Sequence, residues 1–329
     1  MNFEENCKKN FELISKEIFN EAIATEDISF SLAAENQTYL RFNNSRVRQA
    51  TEVHQQDLTM ILQSNGRKST VGMQLGSNFE ANLDHCLDAL ARARAEIHVL
   101  PDDPHLVQMN SAKPTATVHG GTNPVAADVI SLVTRHTAGT DFTGFYAAGP
   151  VIRAMSNSHG QSHWFSSNAA FFDYSLYTVN SEGENKAIKS CYSEKNGHDQ
   201  NFLNNFSSSK EKLEKMKNTS KKLPPGEYKV YLAPACFDEI SQLLGWSSLS
   251  QKAHKDGRCP LSKLYEKKEK LSPKFTLREN FELGVSPQFT TSGDFAPTTL
   301  NLIQNGELVN FLINSRTAKE FGLHHNGAN

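Results

Sequence analysis

An Asn-Gly pair stands between two apolar runs in the first quarter of the sequence. Asn65-Gly66 separates Leu58–Leu62 from Ser69–Met73. Both central residues of a tight type I′ turn need a positive φ, which Asn and Gly adopt at low cost, so this pattern predicts a β-hairpin. Asn305-Gly306 is flanked in the same way by residues 298–313 and predicts a second hairpin. Antiparallel sheet is therefore expected near both ends of the chain.

Helices are predicted where apolar residues recur every three or four positions. This spacing occurs in residues 3–24, 79–97, 124–136 and 234–245. Strand-like segments instead come in runs, as in residues 28–33 and 38–42, in the aromatic-rich stretch that follows the third helix, and in residues 228–232. Because the strands do not alternate with helices, the predicted fold class is α+β.

Two domains, or one large one, are expected from a chain of 329 residues. Lysine is dense in residues 207–222, where Glu211 and Glu214 interrupt it, so this stretch is predicted to be a solvated linker helix. The Pro-Pro-Gly break that follows marks a boundary. We place an N-terminal α+β domain with its linker helix at residues 1–222, and a β-rich C-terminal domain at residues 223–329.

The composition argues against several classes of partner. The formal net charge is -2, which gives no basic footprint for nucleic acid. No apolar run approaches the roughly 20 residues that cross a bilayer, and the acidic, polar N-terminus does not resemble a signal peptide. The cysteines contain no Cys-x-x-Cys pair, so reduced thiols are expected. The predicted location is the cytoplasm, without nucleic acid or membrane as a partner.

His159 and His163 are the two histidines whose spacing resembles a metal chelate. Residues four apart share one face of a helix, where two imidazoles can hold one metal ion. However, Gly160 and the neighbouring Ser and Asn residues predict a turn or a strand, and no carboxylate or cysteine is near in sequence. A metal role for this pair is therefore a secondary alternative. The sequence contains no nucleophile elbow, phosphate loop or dinucleotide fingerprint.

Four segments, in order along the chain, resemble motifs of the TldD/PmbA family. They are Tyr39–Val47, Arg153–Gly160, the junction Leu223–Pro234 (LPPGEYKVYLAP) and Phe311–Gly322. The resemblance implies an N-terminal α+β domain, a C-terminal domain rich in antiparallel strands, and two related subunits paired around a peptide-processing chamber. In the catalytic branch of the family, the helix after the junction carries H-E-x-x-x-H. Two histidines then hold zinc while the glutamate polarises a water molecule.

The corresponding helix in this chain departs from that pattern. It holds Cys236, Asp238, Glu239 and Leu243, and no histidine. Catalytic zinc normally takes about three protein ligands, and acidic residues are also common in the first turn of any helix. The departure resembles the PmbA/TldE-like branch, so we expect neither a catalytic residue nor a metal ligand in this chain. The family also continues beyond the position of Asn329, so the C-terminal domain is expected to be incomplete relative to the family.

The resemblance predicts a non-metal partner subunit of a hetero-oligomeric metallopeptidase that processes peptides. Its partners would be a TldD-like subunit, or a second copy of itself, and a peptide substrate. Zinc is expected in the catalytic partner and no cofactor in this chain, while the peptide-binding residues are not identified. Two alternatives remain open. One is an active metallopeptidase with atypical ligands such as His159, His163 and a carboxylate, and the other is a non-enzymatic protein-interaction module.

Overall fold

The computed structural model describes residues 2–197, 199–245 and 248–327. The helices are α1 (Phe3–Asn20), α2 (Phe79–Ile97), α3 (Ala126–Thr137), α4 (Asp199–Met216), α5 (Pro234–Gly245), α6 (Gln251–Lys255), α7 (Ser262–Tyr265) and α8 (Ser315–Phe321). The strands are β1 (Glu26–Asn43), β2 (Arg46–Ser64), β3 (Arg67–Gln74), β4 (Thr115–His119), β5 (Asp141–Asn157), β6 (Ser162–Val179), β7 (Asn185–Glu194), β8 (Leu277–Asn280), β9 (Thr299–Gln304) and β10 (Glu307–Leu308). This confirms the α+β class.

The main sheet has seven strands in the order β3-β2-β1-β5-β6-β4, and β7 pairs with the second part of β6. All neighbours are antiparallel except β4 and β6, which are parallel. Strands β1, β2, β5 and β6 are 17 to 19 residues long. A separate three-stranded sheet, β10-β9-β8, lies in the C-terminal part of the chain.

The two predicted Asn-Gly turns are confirmed. Asn65 and Gly66 have φ values of 50° and 78°, and Asn305 and Gly306 have 50° and 82°. The first turn joins two full strands, whereas the return strand β10 after the second is only two residues long. A third turn of this kind, at Asn44-Ser45 between β1 and β2, was not predicted from sequence, although both residues again have positive φ.

One face of the main sheet carries both apolar cores. Alternate residues of a strand point to the same face, and here the buried apolar residues of the long strands have even numbers, apart from Met155 and Phe165. The half of this face that packs against α1 and α2 contains Ile28, Phe30, Leu32, Ala34, Leu58, Met60, Leu62, Ile152, Ala154 and Trp164. The half that packs against α3 and α4 contains Leu40, Phe42, Phe142, Tyr146, Ala148, Ala170, Phe172, Tyr174 and Leu176.

A break in strand pairing separates these two halves. The register of β1 with β5 passes from Glu35 opposite Val151 to Thr38 opposite Ala148. Gly149 lies at this break with a φ of +141°, and a Cβ there would stand 2.1 Å from the Asn36 carbonyl oxygen. Only glycine allows the two backbones to approach so closely.

The opposite face of the main sheet presents odd-numbered residues and is covered over only part of its area. Met155 and Phe165 form a small core there with Phe289 from the C-terminal part of the chain. Further along the same strands, Phe145 and Phe171 are 38% and 41% exposed. The second face therefore has a covered half beneath the C-terminal segment and an open aromatic half.

Some predicted elements are wrong in extent or environment. Residues 28–33 and 38–42 belong to one strand, β1. The lysine-rich stretch belongs to α4, which buries Phe202, Phe206 and Leu213, so this helix is part of the N-terminal core and not only a solvated linker. Tyr228–Leu232, predicted as a strand, is irregular and exposed. A strand needs a neighbour for its backbone N–H and C=O groups, and no described strand pairs with this segment.

Candidate functional site

Helix α5, which the resemblance predicts to be the counterpart of the metal helix, lies at the surface. None of its residues is buried, and Cys236, Asp238, Glu239 and Leu243 are all exposed. Gln242 donates a hydrogen bond from Nε2 to Asp238 Oδ2 at 3.1 Å, which occupies one carboxylate oxygen within the helix. The apolar side of this helix is largely exposed, since Leu243 is 65% exposed.

His159 and His163 lie in different environments. His159 is in the turn between β5 and β6, half exposed, with Nε2 2.7 Å from Asp27 Oδ1. His163 lies on β6 and is 2% exposed. Its Nδ1 is 2.8 Å from Thr115 Oγ1 and its Nε2 is 3.0 Å from Gln161 Nε2. Both ring nitrogens of His163 thus have partners inside the protein, so neither faces a shared metal position with His159.

No group of three potential metal ligands, drawn from His, Cys, Asp and Glu, occurs within residues 2–197, 199–245 and 248–327. All five cysteines are free. Burial raises the pKa of Cys7 to about 12 and that of Cys86 to about 11, which keeps both thiols protonated at neutral pH. Neither is therefore prepared to act as a nucleophile or a thiolate ligand.

Buried polar and aromatic side chains come together at the junction where the second face of the sheet meets the C-terminal segment (residues 284–327). Gln161 donates from Nε2 to the Gly293 carbonyl oxygen at 2.6 Å, while its Oε1 accepts from Asn157 Nδ2 at 3.0 Å. These two contacts orient the amide so that Nε2 also points at His163 Nε2. The imidazole must then accept at Nε2 and donate from Nδ1 to Thr115, which defines the neutral tautomer.

Aromatic stacking completes this junction around His163. Its ring lies 5.3 Å from the Phe289 ring at an interplanar angle of 28°, and 5.5 Å from the Phe295 ring. Burial lowers the pKa of His163 below its ordinary value, because the imidazolium would lose its hydration there. The same segment is held further along β6, where Ser167 Oγ donates to the Gly284 carbonyl oxygen at 3.0 Å.

A cavity of about 220 Å³ lies beside this junction, between strands β1–β3 and β5 and the C-terminal segment. Gln63 and Lys68 line it from the sheet, and they are directly opposite each other in the β2–β3 pairing. Asp294 and Ser315 line it from the C-terminal segment. The Asp294 side chain is only 11% exposed and accepts a hydrogen bond from the Ser315 backbone N–H at 3.2 Å. The cavity therefore combines a cation, a carboxylate and neutral polar groups.

The rim of the cavity is tied together by charged contacts between the two parts of the chain. Arg316 pairs with Asp103, and this hydrogen bond holds the pKa of the Asp103 carboxyl below its usual value. Lys319 donates from Nζ to the Leu106 carbonyl oxygen at 2.5 Å. These contacts hold α8 against the loop after α2 at the rim of the cavity.

Sequence reasoning did not find the cavity residues. Gln63 directly follows the predicted strand Leu58–Leu62, and a polar residue next to an apolar run was the one available signal. Asp294 and Ser315 lie in loop and helix-start sequences whose contact with β2 cannot be read from local pattern.

None of the helices in the described ranges has the length and apolarity needed to span a membrane.

Known proteins resemble this chain in two ways. Residues 225–329 match the sequence family described as the PmbA/TldA metallopeptidase C-terminal domain. A Thermotoga maritima protein described as a candidate modulator of a DNA gyrase shares the fold with a TM-score of 0.72 and 16% identity, over 99% of this chain and 74% of its own. A Bacteroides thetaiotaomicron protein of the same description aligns with a TM-score of 0.71 and 16% identity, over 98% and 75%.

TldE from Thermococcus kodakarensis also shares the fold, with a TM-score of 0.71 and 12% identity, over 97% of this chain and 73% of its own. No curated protein matches the chain by sequence. At such low identities the solved structures establish a common fold, whereas the match over residues 225–329 is a relationship in sequence.

Proposed function

Because residues 225–329 match the PmbA/TldA metallopeptidase C-terminal domain, we propose that this chain is a TldD/PmbA-type protein and the non-metal partner subunit of a two-subunit metallopeptidase. The observation that carries the proposal is the composition of α5. This helix follows the Leu-Pro-Pro-Gly junction, as the zinc helix does in the catalytic branch, yet it contains no histidine. Cys236, Asp238 and Glu239 remain as possible ligands, short of the histidine pair that catalytic zinc uses.

The open aromatic half of the second face supports pairing with another subunit. Phe145, Phe171 and Tyr177 are 38%, 41% and 43% exposed on one side of neighbouring strands. Exposed apolar groups that cluster in this way are typical of protein-protein contacts, in which aromatic residues are enriched. The occupant that we propose is a related subunit that carries the H-E-x-x-x-H helix and its zinc.

In that complex the residues of this chain would hold the peptide in place and would not themselves take part in breaking the peptide bond. A subunit without its own metal can form one wall of a chamber, hold an extended peptide and exclude water from the partner's zinc site. The zinc of the partner would supply the polarised water that attacks the peptide bond. We place this activity in the cytoplasm, as a step in the processing of peptides.

Co-expression with an H-E-x-x-x-H relative from the same genome tests the proposal. We expect the two chains to purify together, the complex to contain zinc and to hydrolyse unfolded peptides, and this chain alone to do neither. Phe171→Glu should weaken the complex at least tenfold, because it buries a charge in the contact. Ser131→Glu, an exposed change on α3 away from the open face, should leave assembly unchanged.

Two outcomes would replace the proposal with one of its alternatives. About one zinc per chain, together with hydrolysis by the isolated protein, would establish an active metallopeptidase with atypical ligands. A monomer that binds no relative, contains no metal and hydrolyses no peptide would establish an interaction module.

A further inference from the structure

The cavity beneath the C-terminal segment contains buried polar atoms that the protein does not satisfy. Gln63 is 8% exposed, and its Nε2 donates to the Val107 carbonyl oxygen at 3.0 Å. Its Oε1 and the Ser315 Oγ are buried without a hydrogen-bond partner among the described residues. Both residues line the cavity. Unsatisfied buried groups are rare because they are costly, so a pair at one cavity indicates a missing partner.

The charges around these atoms define what that partner must carry. On the sheet side, Lys68 stands across from Gln63 in the β2–β3 pair and supplies an ammonium group. On the other side, Asp294 supplies a carboxylate whose side chain is 11% exposed and lies 3.9 Å from His325 Nδ1. Arg316 also lines the cavity, but its guanidinium is paired with Asp103. A ligand that meets both needs a carboxylate for Lys68 and Ser315, and a cationic donor for Asp294 and Gln63.

The rest of the lining is mixed and the space is small. Ile61, Leu106, Val107, Met109 and Met155 form an apolar part of the wall, beside neutral polar residues such as Ser29, Asn157 and Thr290. The apolar part favours an uncharged, hydrophobic group between the two charged ends. Its volume of about 220 Å³ is below the roughly 300–1,000 Å³ of pockets for drug-sized ligands. The space suits a molecule no larger than a dipeptide.

We propose that this cavity binds the zwitterion of an apolar α-amino acid, either free or as a dipeptide. The α-ammonium group donates to Asp294 and Gln63, the α-carboxylate faces Lys68 and Ser315, and the side chain packs between Ile61 and Met155. The inference goes beyond the proposed function, since it needs neither a second subunit nor a metal.

Isothermal titration of the full chain with L-leucine tests this proposal. We expect saturable binding, at least tenfold weaker for N-acetyl-L-leucine, which lacks the ammonium group, and for L-leucinamide, which lacks the carboxylate. L-leucyl-L-leucine distinguishes the two sources of the same chemistry, because the tighter ligand of the two identifies the natural length. Absence of saturable binding for both leucine and leucyl-leucine at millimolar concentration would overturn the proposal.

Variants assign the binding to this cavity. Asp294→Asn and Gln63→Leu should each weaken leucine binding roughly ten- to a hundredfold, the range expected for hydrogen bonds to a charged group. Gln49→Leu, an exposed change on the same strand, is the matched control and should bind as the unmodified chain does. Circular dichroism verifies that each variant is folded.

Lys68→Gln keeps the test decisive if the buried variants fail to fold, since Lys68 is exposed. This variant should reduce the preference for leucine over leucinamide, because it removes the charge that favours the carboxylate. An unchanged preference, or leucine binding that none of these cavity variants alters, would refute the assignment.

Discussion

Acid should weaken the attachment of the C-terminal segment to the sheet through His163. The native structure holds this imidazole neutral, with Nε2 accepting from Gln161 and Nδ1 donating to Thr115. Protonation would set an N–H against the Gln161 amide N–H, and turning that amide would remove its hydrogen bond to the Gly293 carbonyl oxygen. The charged form therefore opposes the contacts that join the two parts of the chain.

The expected loss in the free energy of unfolding follows from the difference between the pKa of His163 in the folded chain and in the unfolded chain. Burial lowers the pKa of His163 in the native state, whereas the unfolded chain takes up its proton near a pKa of about 6.5. The contribution of neutral His163 to the free energy of unfolding is fully present above about pH 6.5. It decreases as the pH falls below about 6.5, because there the unfolded state binds the proton and the folded state does not. One such group costs at most about 1.4 kcal/mol per pH unit, so between pH 7.5 and 5.5 the loss is up to about 1.4 kcal/mol.

Urea unfolding at pH 7.5, 6.5 and 5.5, followed by far-UV circular dichroism, measures this loss. His163→Gln keeps an acceptor for Gln161 and cannot titrate, so its free energy of unfolding should change less with pH than that of the unmodified chain. Gln49→Leu, an exposed change on β2 that alters no titratable group, should leave the pH dependence as it is. If His163→Gln and the unmodified chain lose the same free energy between pH 7.5 and 5.5, the role assigned to His163 is wrong.

Two further changes test the construction of the sheet and its cores by urea unfolding. Gly149→Ala should cost more than about 2 kcal/mol, because the new Cβ would meet the Asn36 carbonyl oxygen at 2.1 Å with an unfavourable φ, whereas Gly72→Ala, with open space around it, should cost little. Phe172→Ala should cost about 3–5 kcal/mol, since this ring is 2% exposed and stacks on Phe202 at 5.4 Å. A loss below about 1 kcal/mol in either variant would contradict the packing described.

The sequence predicts the elements whose signals are local. The Asn65-Gly66 turn is determined by the φ preferences of two residues, and α2 spans Phe79–Ile97, the range that the apolar spacing predicts. The α+β class follows from the order of such elements. These features need no knowledge of distant neighbours.

What the sequence does not predict depends on contacts between distant residues. Tyr228–Leu232 contains residues that favour a strand, yet no described strand pairs with it. The apolar residues of α5 are spaced for burial, yet Phe237, Ile240 and Leu243 are 38%, 42% and 65% exposed. The cavity joins Gln63 and Asp294, which are far apart in the chain. The separation of His159 from His163 likewise depends on a turn that leaves only the second residue within β6.

The length of the central strands has a consequence for how the molecule loses its structure. Each of the strands β1, β5 and β6 is one continuous stretch of chain that contributes residues to both cores, the one against α1 and α2 and the one against α3 and α4. Neither core can melt without releasing strands that the other core requires. The two halves of the N-terminal sheet are thus one cooperative unit, in which damage to the aromatic core is transmitted to the helix pair at the far end.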